Sequence, residues 1–260
     1  MPFQKVQPEK LSAAVVRQIE LLILRGVLRP GDRLPAERDL SERLGVSRPS
    51  LREAIEALEA RGLLVRRAGA GVFVAEMLGA AFSDALVRLF ATHDEALFDY
   101  IAFRRDLEGL AADRAARTGS DTDLAVVDTL FTRMEAAHAR RSPAEEARLD
   151  AEFHLSIIEA SHNVVMTHMM RAMFDLLREG VFYNRQIMFR QRTTRRMLLD
   201  QHRAINTALQ ARDGAATRAA VERHLDYVVE ALRADQDVER NEAVARQRLE
   251  QALNKGGTGG

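Results

Sequence analysis

From Ser83 to Asp235 the sequence contains a single proline, Pro143, while the other five prolines all fall by residue 49. Proline ends or kinks helices, so a long stretch almost without it, patterned in apolar stripes, is confined to helices with short breaks. An aromatic fraction of 5% fits the same reading, because bulky strand formers are scarce. The expected fold class is mainly α. A turn-rich N-terminal domain spans 1–76, followed by a linker at 77–82 and an all-helical antiparallel bundle over 83–235. A polar helical extension with a flexible tail covers 236–260, ending in Gly-Gly-Thr-Gly-Gly.

The turn-rich first part shows its order of elements directly. Val15, Val16, Ile19, Leu22 and Ile23 form a helical stripe closed by Gly26. Leu28 to Pro35 is a turn-rich connector with an extended end. Ala36 to Leu44 forms a short helix stopped by Gly45. Ser47 offers an N-cap hydroxyl, Pro49 is tolerated in the first turn, and that helix runs to Arg61 before Gly62. Residues 63–67 and 72–74 are β-rich arms around a glycine loop, the pattern of a hairpin. Helix, helix, tight turn, helix, hairpin is the order of a winged helix-turn-helix.

The third of these helices carries Leu51, Ile55 and Leu58 on one stripe, with Arg48 and Arg52 to its side near the N-terminus. A recognition helix needs that layout, because a buried stripe fixes the pose while N-terminal arginines reach base edges. Arg66, Arg67 and the glycines at 69 and 71 place a basic, closely approachable tip beside it. Charged residues balance at 38 basic against 38 acidic, so any nucleic-acid affinity has to come from such a local surface rather than from net charge.

Chemistry in the long helical part centres on four residues. Asp150 and His154 are four apart on one helix and share a face. His202 lies in the stripe of Leu198, Ile205 and Leu209, and His224 in that of Val221, Val228 and Leu232. The break between their helices is Asp213-Gly214, and each histidine is eleven residues from Asp213. Helices folded back antiparallel there bring the two imidazoles to one level. Three imidazoles and a carboxylate suit a divalent transition metal, with zinc first and nickel or manganese as alternatives. Taken singly, a histidine on a helix is most often structural, and His93, His138, His162 and His168 are read so. Arg104, on a face with Ile101, Glu108, Ala111 and Ala115, is either paired with Glu108 at i+4 or kept for an anion.

The segment from Arg29 to Leu40, together with Gly45-Val-Ser-Arg-Pro-Ser-Leu-Arg-Glu-Ala54 and Gly62-Leu, resembles the GntR family of bacterial regulators. That resemblance implies DNA contacts from Arg38, Ser47, Arg48 and Arg52, with Gly69 at the wing tip in the minor groove. Residues 103–112, Asp150-Ala-Glu-Phe-His154, Ala160-Ser-His-Asn163, Gln201-His202 and His224 resemble the FadR C-terminal ligand-binding domain (FCD) of the FadR branch. It implies Asp150, His154, His202 and His224 as metal ligands, and Arg104 as the clamp for a small carboxylate effector. Segments at 19–31, 47–55, 82–89, 107–112 and 160–165 resemble the pyruvate dehydrogenase complex repressors within that branch. Those repressors can lack the Asp and first His that this chain has. The resemblance implies pyruvate as the first expected effector, and that departure leaves lactate and glycolate open.

The function expected is a homodimeric repressor on a pseudo-palindromic DNA operator, controlled by a small carboxylic acid, with pyruvate dehydrogenase complex or related central carbon genes as the targets that the resemblance implies. A metal-dependent hydrolytic enzyme is the alternative from another class, although no general base or phosphate-cradling loop accompanies the metal set. A purely architectural DNA-binding dimer stapled by its metal is a third. No cysteine is present, which removes disulfides and thiolate metal sites. No apolar run is long enough for a membrane span or a signal peptide, so a soluble, cytoplasmic protein without a membrane partner is expected.

Overall fold

The computed structural model describes residues 10–76, 84–178 and 192–256. The expected linker at 77–82 and the last residues of the tail lie outside the described residues. The chain divides into two compact units. One holds the N-terminal elements through Asp84 together with Val164–Ala172, and the other holds Ala85–Asn163 with Met173–Gly260.

In the first unit, α1 (Leu11–Leu24), α2 (Glu37–Leu44) and α3 (Arg48–Ala60) precede a two-stranded antiparallel sheet of β1 (Leu64–Arg67) and β2 (Gly71–Val74). Leu64 pairs with Val74 and Arg67 with Gly71. The extended end of the connector joins the wing, because Arg33 bridges Phe73 and the Leu34 amide donates to the Val72 carbonyl at 2.9 Å. Gly45 ends α2 in the left-handed region at φ 64°, which a Cβ would disfavour. Ser47 caps α3, its hydroxyl accepting from the Ser50 amide at 3.3 Å, and Pro49 sits in the first turn.

Leu51, Ile55 and Leu58 of α3 are fully buried against Val15, Val16, Ile19 and Ile23 of α1 and Leu64, Val72 and Val74 of the sheet. Each such aliphatic side chain contributes about 1.5–3 kcal/mol by leaving water. One apolar stripe thereby fixes how α3 presents its opposite, polar face.

The second unit is helical. It contains α4 (Asp84–Thr92), α5 (Asp94–Thr118), α6 (Asp121–Arg140), α7 (Pro143–Ala160), the end of α8 (Val164–Arg178), α9 (Arg192–Gln210) and α10 (Gly214–Gly256). Ser120 and Asp123 form a reciprocal capping box at the start of α6. Pro143 opens α7, where its missing amide hydrogen costs nothing. The break at Asp213 is real: the Asp213 carboxylate accepts from the Ala216 amide at 2.9 Å and starts α10. Helices α5, α6, α7, α9 and α10 pack on one another around Ile101, Phe131, Phe153, Ile157, Ile205, Leu209, Leu225 and Val228. The polar segment after 236 continues α10 without a break to Gly256, exposed from 240 to 251. No helix among the described residues is long and apolar enough to cross a membrane.

Candidate metal centre and nucleic-acid interface

Helices α7, α9 and α10 each bring histidine or aspartate to one point inside the bundle. Asp150, His154, His202 and His224 are all buried, and their ligand atoms lie within 4.8 Å of one another. His154 Nε2 is 3.2 Å from His202 Nε2, and His202 Nε2 is 3.1 Å from Asp150 Oδ1. Two nitrogen or oxygen ligands each about 2.0–2.2 Å from one ion, at octahedral or tetrahedral angles, stand roughly 2.8–3.6 Å apart. Both spacings fit. The third, His154 Nε2 to Asp150 Oδ1, is wider at 3.9 Å.

Burial holds two of the rings, His154 and His224, toward the neutral form. Burial lowers the His224 pKa well below its ordinary value, and the neighbouring His202 and His154 lower it further. Burial also lowers that of His154, against the pull of Glu108. Neutral imidazoles are the form that ligates a metal. With the imidazoles in that ligating form, the four donors carry the formal charge of one carboxylate, and the set fits a divalent cation. Bound there, such an ion would supply a Lewis-acidic positive charge. Phe153 walls one side, edge-on to His154 and His202 at centroid distances of 5.8 and 5.3 Å.

Two supporting groups were not among the expected site residues in these roles. Gln201 Oε1 lies 3.0 Å from His224 Nδ1, and Glu108 Oε2 lies 2.7 Å from His154 Nδ1. The second contact is short but not aligned as a straight hydrogen bond. Acceptors placed there favour a proton on Nδ1 and leave Nε2 free to ligate. Adjacency to His202 marked Gln201 in the sequence. Glu108 was marked only as the neighbour of Arg104, because its approach to His154 is made by the fold.

Arg104 is paired. Its Nε donates to Glu108 Oε1 at 2.6 Å, and its guanidinium lies over the Phe174 ring at 4.9 Å. Of the two sequence alternatives for Arg104, the i+4 pair is present. Arg104 and Glu108 are both almost fully buried, as are Ile101, Ala111 and Ala115 of the same face. Burial pushes the Glu108 pKa up, yet Arg104 and His154 together bring it down to about 2. Two of the other histidines have carboxylate partners outside this cluster. His138 Nδ1 lies 3.3 Å from Glu146 Oε2, and His162 Nε2 lies 3.0 Å from Asp123 Oδ2.

The expected DNA-contacting residues all belong to the first unit. Arg38, Ser47, Arg48, Arg52 and Gly69 are all solvent-exposed. Arg38 makes a loose pair with Asp39 at 3.4 Å. Arg52 Nε donates to Glu37 Oε2 at 2.8 Å, and Arg66 Nη1 approaches Glu37 Oε1 at 3.4 Å, so one carboxylate of α2 ties α3 to the wing. Gly69 turns the hairpin at φ 70° with nothing within 4 Å of the place a Cβ would take.

Comparison with known proteins agrees with this architecture. Residues 11–74 match the family described as bacterial regulatory proteins, gntR family, and residues 99–227 match the FCD domain. The Glc operon transcriptional activator of Escherichia coli K12 is 34% identical over 220 residues, covering 83% of this chain and 87% of that protein. The chain belongs to the GntR family of transcriptional regulators, FadR type.

A second relative of this GntR regulator, from the same strain, is named "Putative L-lactate dehydrogenase operon regulatory protein". It is 34% identical over 246 residues, with 93% and 94% of the two chains covered. LutR of Bacillus subtilis, an HTH-type transcriptional regulator, is 32% identical over 212 residues, covering 81% of this chain and 96% of its own. Among solved structures, a Streptococcus agalactiae GntR matches in fold with a TM-score of 0.51 at 23% identity, covering 84% of this chain and 98% of that one. These relatives are DNA-binding regulators and not enzymes, so the hydrolase alternative falls and the metal-capable centre belongs to a regulator.

Proposed function

We propose that this regulator is a metal-dependent sensor of a small 2-hydroxy acid of the lactate or glycolate type. In this reading it is a homodimer on a pseudo-palindromic operator, with DNA contacts from Arg38, Ser47, Arg48, Arg52 and the Gly69 wing tip. Asp150, His154, His202 and His224 would hold the ion, zinc first, and Arg104 would take the acid's carboxylate by sharing or displacing its pair with Glu108. The observation that carries the reading is the buried three-histidine, one-aspartate cluster inside an FCD domain, joined through Glu108 to the buried guanidinium of Arg104, a group that a metal serving only as a staple has no need of. The lactate-operon relative favours lactate over pyruvate, and pyruvate dehydrogenase genes as targets gain no support from the relatives' names.

Repression relieved by acid is the expected direction. The activator name of the Glc relative favours a second reading, in which the acid-loaded form switches a promoter on. Either way the acid shifts the equilibrium only by its differential affinity for the two states. The test is fluorescence anisotropy on a DNA fragment that the protein selects from a random pool, with L-lactate, glycolate or pyruvate added. A change in DNA affinity with lactate or glycolate, lost on chelation, is expected. Unchanged affinity with every acid overturns the sensor.

A further inference from the structure

Each of the three histidines in the cluster has a second ring nitrogen facing away from it. Glu108 stands by that of His154 and Gln201 by that of His224. His202 Nδ1, fully buried, has no hydrogen-bonding partner among the described residues. Metal-ligating histidines nearly always give this second N–H to an acceptor, which fixes the ring and raises its basicity. A buried polar atom left alone is also costly.

His202 lines a cavity whose other walls are Met134, Glu146, Arg195 and Leu199. Its volume is about 10 Å³, close to the room one water molecule requires. Glu146 and Arg195 make it polar, and both are at least nine-tenths buried. Arg195 Nη2 donates to Glu146 Oε1 at 2.6 Å and to the His138 carbonyl at 2.8 Å, and its Nε reaches both Glu146 oxygens at 3.1 Å. The pair joins the start of α7 to the start of α9, one turn or more before Asp150 and His202 respectively.

We propose that Glu146, held by Arg195, is the positioning carboxylate of His202, acting through one water molecule in this cavity. The water accepts from His202 Nδ1 and donates to Glu146. Each histidine of the cluster then has an oriented outer partner, reached directly at His154 and His224 and through water at His202. Glu146 touches neither ion nor effector. The inference rests on the metal reading given under Proposed function.

The test is a zinc titration of the full-length protein in competition with a chromophoric chelator. Wild type is compared with Glu146→Gln and with Leu199→Phe, which fills the cavity while leaving the Glu146–Arg195 pair intact. Both variants are expected to bind zinc about 10–100-fold more weakly than wild type, as outer-partner losses do. A crystal structure of the zinc-loaded wild type should show one water within hydrogen-bonding distance of His202 Nδ1 and Glu146. Affinity within twofold of wild type in whichever variant folds overturns the positioning role, and so does a cavity without that water. A wild-type protein that takes up no zinc instead overturns the metal reading itself, so the two failures are told apart.

Discussion

His154 Nδ1 stands 2.7 Å from Glu108 Oε2, and the other oxygen of Glu108 accepts from Arg104 at 2.6 Å. A single carboxylate thus joins the expected acid clamp on α5 to the first metal-facing histidine on α7. Whatever pulls on Arg104 changes the charge that orients His154. Both groups are buried, so the coupling is poorly screened.

Glu108→Gln takes the carboxylate from a buried guanidinium and from His154 at once. Removing one partner of a buried ion pair typically costs about 3–5 kcal/mol, to be read as a lower urea midpoint. Zinc affinity should fall about 10–100-fold in the same variant. A variant as stable as wild type, with unchanged zinc affinity, would remove Glu108 from both roles.

Stability should also fall with acid. His154 and His224 have lowered pKa values in the folded protein, so as pH drops the unfolded chain takes up their protons first. Their contribution is complete above about pH 6.5 and declines below it. Glu108, brought down to about 2 from 4.5, adds a further decline that starts below its unfolded value. Urea midpoints measured in chelator from pH 8 to pH 4.5 should drop steadily below pH 6.5. A flat profile across that range would mean the imidazoles are not held neutral.

On the DNA side, Arg52→Ala is expected to cost about 1–3 kcal/mol in specific binding and to relax the preference at one base position. Glu37→Gln removes the carboxylate that phosphates or bases must outcompete for Arg52 and Arg66. Non-specific DNA binding should tighten and its salt dependence steepen. Salt slopes from anisotropy titrations check both variants. Unchanged operator affinity in Arg52→Ala would take that arginine out of the recognition set.

The double variant His202→Ala/His224→Ala should lower bound zinc from one per chain to nearly none by elemental analysis. A ratio that stays at one would mean the ion is held elsewhere.

Local periodicity made much of this molecule legible. The stripe of Leu51, Ile55 and Leu58 announced a buried face of α3, and Ser47 and Gly45 marked its cap and the turn before it. The equal spacing of His202 and His224 about Asp213 foretold rings that meet, and their centroids are 4.4 Å apart. Contacts between distant helices left no such trace. Glu108 reaches His154 across 46 positions, Glu146 reaches Arg195 across 49, and Glu37 reaches Arg52 from another helix. An i+4 neighbour is a property of one helix, whereas these pairs depend on how helices cross. Sequence alone therefore named the four side chains that cluster and one side of Arg104, and left their surrounding partners to the fold.

In the proposed function the buried cluster couples a metal to an acid signal. The most direct measurement is the melting temperature of the purified protein with L-lactate, glycolate or pyruvate, before and after removal of metal by a chelator. A 2-hydroxy acid at one hundred times its dissociation constant should stabilise the folded state by about 2.7 kcal/mol, seen as a clear rise in melting temperature that chelation abolishes. A melting temperature that falls on chelation yet responds to no acid would contradict the account and make the metal a structural staple.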